Sequence, residues 1–201
     1  MATLKPFRDY DEKDVINLYS FNLLTGKNDD SAWTLGSDWS DRINSGHIVS
    51  IAVGWSGQNL DMLEDAGAGS VGLQNVTTQR YGVAAKIESA GGSLVPLGMT
   101  LHHVARYDEN GEQLKFNPRK ASELEAVIDG QALPIVTRGL FLINGLEVGV
   151  QALDAAYLAA GAKLYTFADG GISTDSTSNV VIGKALGLAD SNGNVLIKLE
   201  L

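Results

Sequence analysis

Apolar and polar positions alternate most regularly at the end of the chain. In residues 194–201, Val195, Ile197, Leu199 and Leu201 fall on one face. That two-residue period marks a strand half-buried in a sheet. A partner strand is predicted over residues 180–188, joined to it through Asn192-Gly193. Further Asn-Gly or Asp-Gly pairs stand at Asn110-Gly111, Asp129-Gly130, Asn144-Gly145 and Asp169-Gly170. Such pairs adopt the positive φ angles that tight hairpins require.

The same pattern predicts strands at residues 47–53, 81–87 and 94–104, with Leu97, Met99 and Leu101 alternating inward. Residues 133–143 form another apolar β segment, in which Pro134 indicates an edge or a bulge. Residues 118–127 read equally as a short helix or as the approach to a strand. Residues 148–160 fit helical spacing, yet Gly149 and Gly161 bracket them closely and favour two short strands. The predicted fold is mainly β: a small Gly-rich antiparallel barrel or sandwich with an extended N-terminal arm and little helix. The organisation read from the chain is an arm over residues 1–22, an irregular segment over 23–46 and a β-rich domain over 47–201. That domain divides into possible subdomains at 47–143 and 144–201.

The N-terminal stretch stands apart. Phe7, Tyr10, Val15, Ile16, Leu18, Tyr19 and Phe21 crowd into it beside charged groups such as Arg8. Asp11 or Asp14 suits the cap of a single helical turn, while Val15-Ile16 and Tyr19 suit a strand. Either an arm or the first strand of the domain fits this composition.

Charge and composition narrow the chemistry. The 201 residues carry 15 basic and 24 acidic groups, for a net charge of -9. With no run of Lys or Arg to override it, that balance disfavours nucleic acid. The chain has no cysteine, so neither disulfides nor thiolate metal sites enter. No apolar run approaches the ~18 residues of a membrane span. The first residues lack the apolar stretch of a signal peptide, so a soluble protein made in a cytoplasm is expected.

Motifs for catalysis or cofactors are weak. His102-His103 tempts as a metal pair, but successive strand residues point to opposite faces. One histidine inward and one outward is the better expectation. Residues 190–194 lack the glycine and glutamate positions of a calcium loop and read as a turn. The G-x-G-x-x-G spacing at residues 67–72 is followed by poor helix formers, outside any βαβ context. The sequence at residues 54–57 falls short of a nucleophile elbow. No cofactor, metal or enzymatic activity is expected. Trp33 and Trp39, in a polar aperiodic stretch, and Trp55 are candidates for surface contact.

Three stretches carry a resemblance. The opening, residues 6–21 (PFRDYDEKDVINLYSF), resembles the start of virion structural proteins in T4-like phages of marine cyanobacteria and related hosts. So do residues 97–143, with Asp108-Glu-Asn-Gly111, Asn117-Pro-Arg-Lys120 and residues 133–139. The ending, with residues 181–186 and 190–195, is similar to the closing hairpin of small β-barrel cement proteins. Read whole, the chain resembles the head decoration, or capsid cement, proteins of tailed bacteriophages. That resemblance implies binding to the outside of an assembled head, with the major capsid protein as partner. Members of the family bind as trimers, dimers or monomers, so a trimer or dimer on the capsid is one option and no stoichiometry carries over. Its capsid-contact candidates are Phe7, Arg8, Tyr10, Val15, Ile16, Leu18, Tyr19 and Phe21. The alternative is a virion surface module binding host glycan or receptor through Trp33, Trp39 and Trp55.

Overall fold

The computed structural model describes residues 3–19, 42–51, 87–90, 94–105, 107–128, 131–144, 159–167, 170–177 and 180–201. They form a mainly β protein of two antiparallel sheets and a small lobe. The strands are β1 (Thr3–Asp9), β2 (Val15–Tyr19), β3 (Ile48–Ile51), β4 (Ile87–Ser89), β5 (Gly98–Thr100), β6 (His103–Val104) and β7 (Ala126–Val127). They continue with β8 (Ala132–Val136), β9 (Arg138–Asn144), β10 (Lys163–Phe167), β11 (Gly171–Ser173), β12 (Val181–Ala185) and β13 (Asn194–Glu200). One sheet has the order β1-β9-β13-β12-β10-β11, the other β2-β8-β5-β3-β4. Neither order closes on itself among the described residues, so the architecture is a sandwich rather than a barrel.

The N-terminal segment is extended, as its composition predicts, but it is not a free arm. β1 pairs with β9 and β2 with β8, both antiparallel. Residues 3–19 and 132–144 thus run side by side as one ribbon that serves both sheets. The ribbon bends where a 3-10 turn, Glu12–Asp14, faces Thr137. Both readings of this stretch therefore hold locally, since Asp11 caps the turn and a strand starts at Val15. The Asp14 carbonyl accepts from Thr137 N (2.8 Å) and from Thr137 Oγ1 (3.1 Å). Leu201 N donates to the Thr137 carbonyl at 3.1 Å and ties the chain end to the same corner.

Residues 133–143, expected as one segment, are consequently two strands in different sheets. Strand β8 lies between β2 and β5, so Pro134 does not mark an edge strand. Instead it sits where the ladder to β5 stops. Its carbonyl accepts from Leu101 N (3.1 Å), but it has no N–H to return to Leu101. The expected strand over residues 94–104 breaks at that point, with Leu101-His102 bending between β5 and β6. Residues 118–123 resolve as helix α1 (Pro118–Glu123), with proline in its first turn and Asn117 Oδ1 accepting from Lys120 N. Of residues 148–160, where helix and strand competed, 148–158 lie outside the described residues.

The two sheets share one core. Ile48, Met99 and Val136 from the five-stranded sheet pack against Leu4, Phe141, Ile143, Leu164, Ile182 and Ile197 from the six-stranded one. The opposite face of the five-stranded sheet buries Val49, Leu133 and Ile135 with Ile43 and Val104. That sheet is therefore an inner layer, with buried side chains on both of its faces. A third cluster, Ala105, Leu114 and Ala121, holds the lobe of residues 105–128 together.

Among the described residues, Phe141 is the largest fully buried side chain. Phe141→Ala is expected to cost about 3–5 kcal/mol by emptying the space between the sheets. Thr137→Val keeps the backbone bond at the corner and loses the hydroxyl one, for about 1 kcal/mol. Urea unfolding midpoints check both values and their order.

Candidate contact surface

The ribbon divides the N-terminal contact candidates into two groups. A register shift between Leu4 and Arg8, around Pro6, leaves Phe7 pointing outward with half of it (50%) exposed. Tyr10 is 39% exposed and stacks on Phe141, with ring centroids 5.9 Å apart. Ile16 is 37% exposed. Val15 and Leu18 instead pack against the two cores. Tyr19 pairs through its backbone with Ala132, and its side chain lies outside the described residues, as does Phe21. Trp33, Trp39 and Trp55 also lie outside them.

Arg8 turns inward rather than toward a partner. Its Nη2 donates to Glu125 Oε2 at 3.1 Å, and its Nη1 reaches the Leu101 carbonyl at 3.4 Å. That carbonyl is the group Pro134 cannot satisfy. One guanidinium therefore fastens β1, the β5–β6 bend and the turn after α1, where Glu125 holds a left-handed φ of 48°. An arginine in a charged stretch gives no sequence signal for such a role.

Two of the three histidines, His47 and His103, belong to one neighbourhood around residues 42–47. His47 is buried between the sheets, with Nε2 2.6 Å from Ser89 Oγ. Gly170 lies against its ring, and a Cβ there would overlap the imidazole. Gly170 N also donates to the Ala90 carbonyl at 2.8 Å, so the seam joins the two sheets. His103 Nδ1 accepts from Ser45 N at 3.0 Å, which requires that nitrogen to be unprotonated. Burial pushes His47 down to about 3. His103 falls to about 4, chiefly through burial and secondarily through Arg42, against an opposing pull from Glu125. The sequence singled out His102-His103; it missed His47, whose only signal is its place at the head of an apolar strand.

Two turns share one construction. In Asp108-Glu109-Asn110-Gly111-Glu112, Asp108 Oδ1 accepts from the backbone N–H of Asn110 and of Glu112, both at 2.8 Å. In Asp190-Ser191-Asn192-Gly193-Asn194, Asp190 Oδ1 accepts from Asn192 N and Asn194 N at the same 2.8 Å. Gly111 and Gly193 supply φ of 80° and 77°. The two carboxyls are held below the usual range, Asp108 mainly by the Glu112 amide and Asp190 mainly by the Asn194 side chain. Asn144 Nδ2 adds a bond to the Asn192 carbonyl (2.8 Å), locking the second turn to β9.

On the outer face of the six-stranded sheet, Lys163, Lys184 and Lys198 stand directly opposite one another across β10, β12 and β13. An open hollow of about 450 Å³ adjoins this row, lined by Arg138, Gly139, Lys198, Leu199, Glu200 and Leu201. Among the described residues, no three His, Asp or Glu side chains converge as metal ligands, and no helix is long and apolar enough to cross a membrane. No protein-family model, curated protein or solved structure matches the chain.

The histidine seam predicts acid sensitivity. A folded pKa below the unfolded value of about 6.5 means that the native state binds fewer protons. The stability involved is complete above about 6.5 and is lost as pH falls toward 4 for His103 and 3 for His47. Thermal melts from pH 7 to 4 are expected to fall steeply. His47→Asn, though less stable at pH 7, should flatten that slope by about one proton.

Proposed function

We propose that this chain is a structural virion protein that binds the outer surface of a phage head and stabilises the major capsid protein lattice. The observation that supports this reading most is where the family-like stretches lie. Residues 6–21, 97–143, 181–186 and 190–195 are far apart in sequence, yet they supply β1, β9, β12 and the start of β13 in one sheet. They also supply β2, β8 and β5 as neighbours in the other. The resemblance therefore falls on one continuous body.

The ribbon gives that body its contact groups. Phe7, Tyr10 and Ile16 are apolar side chains exposed along a segment anchored in both sheets. Rigid anchors bind with little loss of conformational freedom. A protein that binds the assembled lattice alone shifts the equilibrium toward assembly, and no catalytic step is involved. The partner is the major capsid protein, the place is the exterior of the head, and association into dimers or trimers on the lattice is compatible with this role.

Deleting residues 1–22 would remove β1, β2 and the buried Leu4, so it would test folding rather than contact. Point variants separate the two. Purified protein should sediment saturably with heads assembled without it. Phe7→Ser and Ile16→Ser should keep the melting temperature within a few degrees and weaken binding about tenfold or more. Absence of binding by folded wild-type protein would sink the proposal.

A further inference from the structure

We infer that the outer face of the six-stranded sheet is a second contact surface, built for an acidic protein partner. The inference deepens the head-binding reading and rests on it for the partner's identity.

The face is unusual within this chain. Net charge is -9, yet Lys163, Lys184 and Lys198 align in register on three adjacent strands. Strand spacing of about 4.8 Å brings three ammonium groups within a row roughly 10 Å long. Like charges directly opposite one another destabilise a sheet. Arg138, opposite Glu200 on the same face, adds a fourth cation. Glu200 is the anion amid them: it pairs with Lys198 and lies 3.8 Å from Lys184. Lys184 and Lys198 remain about half exposed.

This arrangement fits carboxylates approaching from outside. They would offset the positive charge that Glu200 alone balances only in part, and in a partly desolvated interface each pairing would be stronger than in water. The hollow beside Lys198 can receive a protruding side chain. Exposed Val181, Leu186 and Leu188 on and beside β12 add apolar area next to the lysines. That mixture, with Glu200 in its centre, suits a protein surface better than a phosphate backbone, which offers little for apolar groups and is repelled by the carboxylate.

The test measures retention of the whole chain on immobilised poly-L-glutamate and on a DNA duplex, alongside sedimentation with heads lacking the protein. Wild-type protein should bind polyglutamate at low salt and lose that binding about tenfold as salt approaches ~0.15 M. The triple variant Lys163→Glu, Lys184→Glu, Lys198→Glu should lose polyglutamate binding and weaken head binding at least tenfold. Triple Lys→Gln substitution repeats the test without adding anions, should that variant fold poorly. Charge reversal at Lys115 and Arg119, on the separate lobe, should leave binding unchanged. No polyglutamate binding by wild type, equal binding by the triple variants, or tighter binding to DNA would each overturn the inference. Head binding untouched by the triple variants would also overturn it while leaving the head-binding reading standing. Polyglutamate binding without head binding would support the acidic-partner face and overturn that reading.

Discussion

The bend at Asp14 and Thr137 is the constraint from which the rest of the fold follows. Residues 3–19 and 132–144 pair along nearly their whole lengths, and one carbonyl accepting two bonds from Thr137 fixes where the ribbon turns. On one side of the corner the ribbon belongs to the six-stranded sheet, on the other to the five-stranded one. The two sheets must therefore face each other, and a shared core around Phe141, Met99 and Val136 fills the gap. Corners of this kind let a sandwich form from strands that change sheets.

The same corner explains which side chains are available for contact. In the ribbon Leu4 is buried and Val15 and Leu18 pack partly buried against the two cores, while Phe7, Tyr10 and Ile16 are left partly in solvent. The inner sheet is covered on both faces, so its middle strands expose little. The outer face of the six-stranded sheet carries the lysine row. Candidate contact groups thus collect along the ribbon and on that face, while Arg8, His47 and His103 hold the interior seams.

The mainly β class was legible because its evidence is local. Alternation over residues 195–201 and the Asn192-Gly193 turn identify β12, β13 and their hairpin within twenty residues. The repeated Asp-x-Asn-Gly pattern was visible as turns, although the carboxylate that builds each turn was not. What escaped is long-range or depends on burial. Pairing of residues 3–19 with 132–144 spans more than a hundred positions, so local pattern could not choose between arm and first strand. Strands β3 and β5 fall inside the predicted segments 47–53 and 94–104, but local pattern did not show that both of their faces are covered. Pro134 was read as marking an edge or a bulge, whereas β8 is an interior strand and the effect of the missing N–H falls on Leu101, outside that strand. The aromatic density of residues 7–21 was plain, whereas the inward turn of Arg8 depends on Glu125 and on a carbonyl orphaned by that proline.

The most direct measurement is a reconstruction by electron cryo-microscopy of heads assembled without this chain, before and after saturation with it. The account predicts added density on the outer surface at regular lattice positions. The two-sheet body should fit that density with Phe7 and Ile16 facing the major capsid protein and the lysine row near acidic residues. Saturated heads with no ordered exterior density, or a body docked with the ribbon turned to solvent, would contradict it.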